Sequence, residues 1–406
     1  MMSLQASSNL TACLALVVLT YSHHALAETT NDQANTAQST GICYAAEIMH
    51  GYKCQEYDVT TADGYILSLQ RFPQGKTGGS NKQPVLLQHG VLVDGMTWLF
   101  NPANQSLALI LADNGYDVWI ANTRGTRYSR RHVSLDSSNP DYWDWTWDAL
   151  VAHDLPATID FVYEQTGQKL HYVGHSLGTL VALTSFSEGK HVDKVKSAAL
   201  LSPIAYLNHM TTALGVLAAR AFVGEITTIA GFAEFNPKGE PVANFLKVLC
   251  LDPQVNCLDL ITALTGKNCC LNTTTVDLFL KNEPQSTATK NLVHLAQSKL
   301  TIRDGRLAKY DYGSTDFNQK HYGDSQPPVY NLSNIPHDLP LFLSYGGQDS
   351  LSDVKDVEKL LDNLKLHDVD KINIQYIEDF AHSDFILGTT AKDIVYNQIM
   401  AFFKRH

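Results

Sequence analysis

The chain has 406 residues, of which 44% are apolar and 17% charged, so it is long enough for one large globular domain with an insertion or for two domains. Its formal net charge of -11, with no block of lysine or arginine, argues against nucleic acid or an anionic membrane surface as a partner. The composition therefore indicates a globular protein that does not bind a polyanion.

The N-terminus is typical of a secretory signal. An apolar stretch, Leu10–Thr20, is followed by Ala25-Leu26-Ala27, a small-x-small pattern that predicts cleavage after Ala27. No lysine or arginine precedes the apolar stretch, which departs from the usual signal, and an uncleaved anchor is the alternative. A bilayer span needs roughly 20 apolar residues, however, and this stretch is shorter. We predict a signal peptide over 1–27, a flexible polar segment over 28–42 and no transmembrane segment in the mature chain.

The cysteines and sequons fit the same route. With Cys13 in the signal, six cysteines remain, enough for up to three disulfides, and Cys43 and Cys54 are close enough in sequence for a local bridge. Metal binding is the alternative, although no Cys-x-x-Cys pair supports it. The acceptor sites for N-glycosylation are Asn104, Asn272 and Asn331.

The first part of the core is predicted over 43–205. Tyr57–Phe72 alternates around Asp63-Gly64, which predicts a β-hairpin. Strand, helix and strand then follow in turn, the order that indicates a parallel sheet. These elements are the strand Pro84–Gln88, the helix Leu107–Asn114 and the strand Tyr116–Ala121.

A loop rich in arginine and tryptophan comes next. Its arginines could bind an anion, but ion pairs with the aspartates that follow in sequence are the simpler interpretation. The tryptophans are predicted to pack in the core near the site. The residues concerned are Arg124, Arg127, Arg130 and Arg131, then Asp136, Asp141, Asp144 and Asp148, and Trp143, Trp145 and Trp147.

A Gly-x-Ser-x-Gly motif, Gly174-His175-Ser176-Leu177-Gly178, lies between an apolar strand, Leu170–Val173, and an apolar helix, Leu177–Phe186. This context predicts a nucleophile elbow, in which Gly174 and Gly178 leave room for the sharp turn. The motif alone has many chance matches, so it needs a base, an acid and an oxyanion hole elsewhere. The flanking elements are predicted as a helix over Pro156–Gln165 that stops at Gly167 and a strand over Lys194–Ser202.

Residues 206–333 break the alternation, and we predict a mainly helical cap inserted over the carboxyl edge of the sheet. Leu214–Phe235 and Asn291–Leu300 are helix-like apolar stretches. The first resembles a membrane span, but Arg220 and Glu225 near its middle would each cost roughly 2.5 to 3.5 kcal/mol in lipid. A membrane span is therefore not predicted there.

The second part of the core, 334–406, supplies an acid and a base. In a hydrolase sheet the acid follows a late strand and the histidine follows the last one. Asp349 comes directly after the predicted strand Leu339–Tyr345, and His382 comes after the predicted strand Ile372–Ile377. The helices of this part are predicted over Val354–Leu364 and Ala391–Phe403.

The predicted catalytic set is Ser176, Asp349 and His382, and other residues fit these roles less well. The alternatives are His367, in a loop at the other end of the sheet, His406, the last residue, Asp353, better interpreted as a helix N-cap, and Asp379 and Asp384, too near the base in sequence to reach it from a separate strand.

An acyl-transfer site also needs backbone N–H groups directed at the developing oxyanion. One is predicted from Leu177, the residue after the nucleophile, and the other from the loop after the third strand, where Val91 is favoured. We interpret His89 in that loop and His175 in the elbow as structural residues rather than proton carriers.

These motifs resemble the acid lipase branch of the α/β-hydrolases, the family of gastric and lysosomal acid lipases, and most of all the plant triacylglycerol lipases of that branch. The motifs are Thr61-Ala62-Asp63-Gly64-Tyr65, Leu87-Gln88-His89-Gly90, Gly115-Tyr116-Asp117-Val118-Trp119, Arg124-Gly125, Tyr172-Val173-Gly174-His175-Ser176, Tyr310-Asp311-Tyr312-Gly313, Gln326-Pro327-Pro328, Gly346-Gly347-Gln348-Asp349 and His382-Ser383-Asp384-Phe385.

The resemblance carries roles onto matching residues. It places the family's nucleophile, acid and base on Ser176, Asp349 and His382, and its oxyanion donors on Val91 and Leu177. It also implies a mobile lid within the cap and a mechanism without metal or cofactor. Glutamine is usual in the family where this chain has Leu177, so side-chain contacts to the acyl or alcohol group can differ.

The sequence thus predicts an α/β-hydrolase fold, with a mostly parallel sheet and a helical cap. The predicted protein is a secreted or vacuole-directed serine lipase that hydrolyses acylglycerols at an oil–water interface through an acyl-enzyme. A steryl esterase or general carboxylesterase is the nearer alternative, and a non-catalytic binding protein on a hydrolase fold is the distant one.

Overall fold

The computed structural model describes residues 41–76, 83–210, 232–239, 260–300 and 306–406. The predicted signal peptide lies outside these ranges. Ile42 begins a helix and is buried, so the first element starts just before the predicted boundary at residue 43. Within the described ranges, no helix has both the length and the apolar character needed to cross a membrane.

A nine-stranded sheet forms the core. Its strands are β1 (Gln55–Thr60), β2 (Tyr65–Phe72), β3 (Pro84–Gln88), β4 (Asp117–Ala121), β5 (Arg131–His132), β6 (Leu170–His175), β7 (Val195–Leu201), β10 (Leu341–Gly346) and β11 (Ile372–Ile377). Two further strands, β8 (Glu234–Phe235) and β9 (Thr287–Ala288), pair with each other in the insertion. The order is β1-β2-β4-β3-β6-β7-β10-β11, with β5 beside β2. Six neighbouring strands are parallel, namely β4, β3, β6, β7, β10 and β11. The pairs β1–β2, β2–β4 and β2–β5 are antiparallel.

Helices connect the strands. They are α1 (Ile42–His50), α2 (Leu107–Asp113), α3 (Leu155–Thr166), α4 (Leu177–Ser187), α5 (Leu260–Thr265), α6 (Thr273–Asn282), α7 (Thr289–Leu300), α8 (Thr315–Tyr322), α9 (Val354–Asn363), α10 (Asp384–Leu387) and α11 (Asn397–Arg405). A π-helical turn, Leu150–Asp154, leads into α3, and a second one, Lys392–Tyr396, leads into α11. The predicted core helices and strands are confirmed, with ends displaced by a few residues.

The predicted hairpin is confirmed by the antiparallel pair β1 and β2. Thr61 N–H donates to the Tyr65 carbonyl, and the Thr61 hydroxyl accepts from Tyr65 N–H at 2.9 Å. Gly64 has φ +96°, a conformation that glycine adopts without the steric cost of a Cβ. Asp63 and Gly64 therefore form the turn, as the sequence indicated.

The central strands are buried on both faces because each face of the sheet carries its own apolar cluster. Successive side chains of a strand point to opposite faces. In β4, Trp119 and Ala121 accordingly belong to one cluster, and Val118 and Ile120 belong to the other. Only the strand ends are left to form a site, and parallel strands bring their carboxyl ends to one edge.

The chain changes direction across the sheet between β3 and β6. From β3 it moves to β4 on one side, and it returns to β6 on the other side. Ligand crevices in open α/β sheets lie at the carboxyl ends of strands at such a switch point. His89 directly follows β3 and Ser176 directly follows β6, so the topology brings the two loops together.

The insertion lies between β7 and β10, and its described parts contain α5 to α8 and the small sheet of β8 and β9. The predicted helix over Asn291–Leu300 is confirmed as part of α7. Most of Leu214–Phe235, with Arg220 and Glu225, lies outside the described residues. Its described end is a strand rather than a helix, because Phe235 pairs with Thr287 and is buried.

Candidate active site

Ser176 lies at a sharp turn between β6 and α4. Its φ is 55° and its ψ is -120°, a backbone conformation that costs a residue with a Cβ roughly 1 to 3 kcal/mol. The turn is held by Ser176 N–H, which donates to the Leu201 carbonyl of β7 at 3.2 Å, and by Thr179 N–H, which donates to the Ser176 carbonyl at 2.8 Å. Strain of this kind at a turn from strand to helix is typical of a nucleophile elbow.

Two glycines make that turn possible. A Cβ on Gly174 would lie 2.9 Å from the backbone of Gly178, and a Cβ on Gly178 would lie 2.6 Å from the Gln88 carbonyl oxygen. Both distances are shorter than van der Waals contact. The roles that the sequence suggested for these glycines therefore have a direct steric basis.

The loop after β3 packs against the elbow. A Cβ on Gly90 would lie 2.9 Å from Ser176 Cβ, so the loop backbone approaches the nucleophile closely. His89 is buried, its Nδ1 lies 2.7 Å from the Gly90 carbonyl oxygen, and its Nε2 accepts from Thr123 N–H at 3.0 Å. Burial lowers the pKa of His89, which keeps the ring neutral. His89 therefore supports the loop, in agreement with the structural role predicted for it.

Two backbone N–H groups beside Ser176 are unused. Among the residues that the structure describes, neither Val91 N–H nor Leu177 N–H donates a hydrogen bond to another protein group. Leu177 is the first residue of α4, and Val91 follows Gly90 in the loop that contacts Ser176. Unpaired N–H groups at a helix N-terminus and a neighbouring loop provide a suitable setting for an anionic oxygen.

Asp349 and His382 meet at the carboxyl ends of β10 and β11. His382 Nδ1 lies 2.9 Å from Asp349 Oδ2 and 3.1 Å from Oδ1. Both side chains are buried. Asp349 Oδ1 also accepts from Leu351 N–H at 2.9 Å and from Ser352 N–H at 2.8 Å, which fixes the carboxylate.

The charge of Asp349 is maintained in spite of burial. Burial raises the pKa of Asp349, but the electrostatic interaction and hydrogen bond with His382, with the N–H groups of Ser352 and Leu351, hold the pKa below its ordinary value. An ionised carboxylate on Nδ1 leaves Nε2 as the nitrogen that can accept a proton.

His382 Nε2 is buried and has no hydrogen-bond partner in the described part of the chain. Ser176 Oγ is thus not hydrogen-bonded to it in this structure, although both residues are at most 4% exposed. His175, next to the serine, brings the two loops together, because its ring lies 4.7 Å from the His382 ring and its Nε2 lies 3.0 Å from the His382 carbonyl oxygen. Burial lowers the pKa of His175 to about 3, which suits an orienting residue. Catalytic hydrogen bonds are often long before substrate binds.

Three of the alternative residues, His367, Asp353 and Asp384, have other roles. His367 Nε2 lies 2.6 Å from the Leu339 carbonyl oxygen, at the amino end of β10 and far from the elbow along the strand. Asp353 accepts from Lys355 N–H as the N-cap of α9. The Asp384 carboxylate accepts from the N–H groups of Ala381, Cys269 and Cys270 at 2.8, 3.0 and 3.2 Å.

Besides the contact of Cys269 and Cys270 with Asp384, the insertion reaches this site through backbone contacts of Thr265 and Gln285, which sequence reasoning missed. Thr265 accepts from His382 N–H at 3.1 Å and from Ser350 N–H at 3.4 Å, so α5 ends on the loops of the acid and the base. Gln285 N–H donates to the Leu92 carbonyl at 2.8 Å, in the loop after β3. These are backbone contacts between distant segments, and no residue type in the sequence signals them.

The arginine loop forms ion pairs as predicted, but the predicted partners were wrong. Each arginine pairs with a carboxylate from another part of the chain. The pairs are Arg124 with Asp63 and Asp154, Arg127 with Asp94, Arg130 with Glu234, and Arg131 with Asp58. The predicted partners Asp136, Asp144 and Asp148 instead contact Ser138, Lys290 and Tyr330. The tryptophans Trp143, Trp145 and Trp147 are buried in the core, as predicted.

The four described cysteines and the three sequons lie at the surface or close to it. The predicted bridge between Cys43 and Cys54 is confirmed, and a second disulfide joins the adjacent residues Cys269 and Cys270. Cys250 and Cys257 lie outside the described residues. The acceptor asparagines are all exposed, namely Asn104, Asn272 and Asn331.

Comparison with known proteins identifies the family of this chain. A family model of a partial alpha/beta-hydrolase lipase region matches residues 46–102, and one of the alpha/beta hydrolase fold matches residues 83–388. Triacylglycerol lipase 2 of Arabidopsis thaliana is 60% identical over 370 residues, which cover 90% of this chain and 88% of that protein. Gastric triacylglycerol lipase of Homo sapiens is 36% identical over 367 residues, which cover 86% of this chain and 88% of that protein.

The solved structures show the same fold. A soluble variant of monoglyceride lipase from Saccharomyces cerevisiae, in complex with a substrate analog, has a TM-score of 0.54 at 15% identity and covers 87% of this chain and 94% of its own. At this identity the likeness shows the fold alone. The chain therefore belongs to the acid lipase family of the α/β-hydrolases and is a carboxylic ester hydrolase.

Proposed function

We propose that the protein is a serine lipase that hydrolyses acylglycerols through Ser176, His382 and Asp349. The observation that carries this proposal is the Asp349–His382 pair beside a strained Ser176 that has two unused N–H groups next to it. These are the parts that acyl transfer requires, namely a nucleophile, an oriented base and donors for the oxyanion.

The proposed cycle has two halves. Ser176 Oγ attacks the ester carbonyl carbon while His382 Nε2 takes its proton, and Asp349 stabilises the imidazolium through Nδ1. The tetrahedral oxyanion accepts hydrogen bonds from Val91 and Leu177 N–H. When the intermediate collapses, His382 returns the proton to the leaving alcohol and an acyl-enzyme remains.

Water completes the reaction. His382 removes a proton from a water molecule, the hydroxyl adds to the acyl carbon, and the second tetrahedral intermediate releases the fatty acid as Ser176 recovers its proton. No step needs a group beyond the named residues and water. Because Ser176 is only 3% exposed, substrate can reach it only after the site opens.

The choice of acylglycerol rests on the relatives. Triacylglycerol lipase 2 and gastric triacylglycerol lipase are named for this ester class, and this chain covers most of each of them. Leu177 is buried in the elbow helix, so it presents an apolar side chain where the acid lipases usually have glutamine. A steryl ester or a soluble short ester is the alternative substrate, and the relative rates decide between them.

The test is a substrate panel with the full chain and its Ser176→Ala variant. Emulsified long-chain triacylglycerol, a steryl ester and a soluble short ester are compared by fatty acid release in a pH-stat. We expect the highest rate on the emulsion, with a rise above the solubility limit of the substrate, and a loss of about 10⁴- to 10⁶-fold in Ser176→Ala. A rate that saturates on the soluble ester without preference for the emulsion would contradict the lipase proposal.

We also propose that the chain follows the secretory route to the cell exterior or to a vacuole-like compartment. The predicted signal over 1–27, the Cys43–Cys54 disulfide and the exposed Asn104, Asn272 and Asn331 support this. Expression in a eukaryotic secretory host, with digestion by an endoglycosidase, tests it. A secreted product whose mass does not change on digestion would contradict glycosylation.

A further inference from the structure

The oxyanion loop, defined here as residues 90–94, is attached to the insertion. Gln285 N–H donates to the Leu92 carbonyl at 2.8 Å. Leu92 has φ +60°, which is unfavourable for a side chain with a Cβ. A strained conformation persists only when its surroundings hold it. Here the hydrogen bond from the insertion holds Leu92, the residue directly after Val91.

Arg127 ties the same loop to the same segment. Its Nε donates to Asp94 Oδ2 at 2.7 Å, and its Nη1 donates to Asn282 Oδ1 at 3.2 Å. Its own backbone N–H donates to Gln285 Oε1 at 3.3 Å. One arginine thus contacts the end of the oxyanion loop and both ends of the segment 282–285.

Asp94 is the residue of the oxyanion loop that Arg127 binds. Its side chain is fully buried, and Oδ1 accepts from Met96 N–H at 2.9 Å. Gln285 completes the connection, because its Nε2 donates to the Asn282 carbonyl at 2.9 Å and fixes the segment that carries its N–H. A buried carboxylate that lost Arg127 would keep only part of its hydrogen bonding.

We propose that Arg127 and Gln285 are positioning residues that hold the oxyanion loop in place against the insertion segment 282–285. The orientation of Val91 N–H, and with it stabilisation of the transition state, then depends on the insertion as well as on the sheet. This inference rests on the proposed catalytic role of Val91 N–H. It assigns a function to a contact between cap and core that lies outside the catalytic triad.

The chain offers a matched control in Arg130. Arg127 and Arg130 lie in one loop, and their side chains are 34% and 32% exposed. Both stack over an aromatic ring, at 4.7 Å for Tyr128 and 4.8 Å for Trp143, and both reach the insertion. Arg130 pairs with Glu234 at 2.8 Å and makes no hydrogen bond or ion pair with the oxyanion loop among the described residues.

The experiment compares Arg127→Gln, Gln285→Met and Arg130→Gln with the wild-type chain. Three quantities are measured: kcat and KM on a soluble ester, the Kd of an alkyl boronic acid, and Tm. The boronic acid adds to Ser176 and places an oxygen in the oxyanion hole, so its Kd reports on that hole. We expect kcat to fall by about 10- to 100-fold and the boronic acid Kd to rise by a similar factor in Arg127→Gln, with KM little changed. Gln285→Met keeps the N–H that donates to Leu92 and loses only the side-chain bonds to Arg127 N–H and to the Asn282 carbonyl, so the same two changes should be smaller, about 3- to 10-fold.

Arg130→Gln should lower Tm without changing kcat or the boronic acid Kd. Arg127→Lys, which keeps one charged contact to Asp94 but cannot bind Asp94 and Asn282 as a fork, should recover part of kcat. Gln285→Met decides the question if Arg127→Gln does not fold. Equal effects of the Arg127 and Arg130 variants, or a fall in Tm with an unchanged boronic acid Kd, would overturn the positioning role. An inactive wild-type chain would overturn the proposed function and this inference together.

Discussion

The elbow and the loops that face it are stabilised in different ways. Ser176 is fixed by neighbours inside the sheet, namely Leu201 of β7, Gln88 of β3 and its own glycines. The loops that carry Val91 and His382 are instead hydrogen-bonded to the insertion. Gln285 N–H donates to the Leu92 carbonyl, and the Thr265 carbonyl accepts from His382 N–H. The core therefore determines the geometry of the nucleophile, while the insertion helps to determine the geometry of its partners.

This difference has a consequence for how substitutions act. A change at the elbow disturbs the packing of central strands, so it should lower stability and activity together. A change in an insertion contact leaves the sheet intact, so it should lower activity more than the free energy of unfolding. Stability and kcat measured side by side distinguish the two regions.

The largest expected effect is the loss of kcat when the acid, Asp349, is replaced. Asp349→Asn should lower kcat by about 10⁴-fold, because asparagine neither stabilises the imidazolium nor maintains the His382 tautomer. Its carbonyl oxygen can still accept from Leu351 and Ser352 N–H, so Tm should change little. Steady-state kinetics and calorimetry check this. Asp353→Asn, at the N-cap of α9, is the control and should leave kcat unchanged, and a kcat of Asp349→Asn within tenfold of wild type would exclude Asp349 as the acid.

At the elbow, Gly178→Ala should lower both stability and kcat. The new Cβ would lie 2.6 Å from the Gln88 carbonyl oxygen of a central strand, so backbone has to move, at a cost of about 3 kcal/mol. We expect a lower midpoint in urea and a kcat reduced by more than about tenfold. Gly189→Ala is the control, since its Cβ meets nothing within 4 Å and only the positive φ opposes it. Full activity in Gly178→Ala would show that the elbow tolerates a Cβ.

On the insertion side, Asp384→Asn should weaken the contact to the His382 loop. The carboxylate accepts from three N–H groups, two of them in the insertion, at Cys269 and Cys270. An amide group in its place would direct a donor at a donor, which costs about 2 kcal/mol. We expect amide hydrogen exchange to be faster than in the wild type at Cys269, Cys270 and Ala381. We also expect kcat to be reduced under conditions in which the protein is still globally folded. Exchange that increases equally in β3 and β6 would contradict local stabilisation by the insertion.

The same contrast explains what could be predicted from the sequence. The elbow, the alternation of strands and helices in the core, and the positions of Asp349 and His382 after two late strands were predictable, because each depends on a local motif and on chain order. The partners of Arg127 and Arg130 were not, since Asp94 and Glu234 are brought to them by folding rather than by proximity in sequence. The Gln285 contact to Leu92 is a backbone hydrogen bond, which any residue except proline could make, so the sequence contains no mark of it.

The smallest expected effect concerns Glu283, within the segment 282–285. Glu283 is buried beside Asp94 and Arg127, with Lys238 and Tyr128 as the other ionisable groups whose charge acts on it or is affected by it. Burial, followed by the Asp94 charge, raises the pKa of Glu283 well above its ordinary value. The folded state thus binds the proton more tightly than the unfolded state, so this contribution to stability is complete below the ordinary pKa and is lost as pH rises through the raised pKa.

Glu283→Gln removes the titration while keeping the shape of the side chain. We expect its Tm to match that of the wild type near about pH 4 and to exceed it increasingly at higher pH. The free energy of unfolding of the wild type should fall relative to the variant by about 1.4 kcal/mol for each unit by which the pKa is raised. An ionised Glu283 would also compete with Asp94 for Arg127, so the ratio of kcat in Glu283→Gln to kcat in the wild type should rise with pH over the same interval. Calorimetry and kinetics across this range check both. A Tm difference that stays constant with pH would mean that Glu283 does not titrate there, and the oxyanion loop would then be held equally well in acid and at neutral pH.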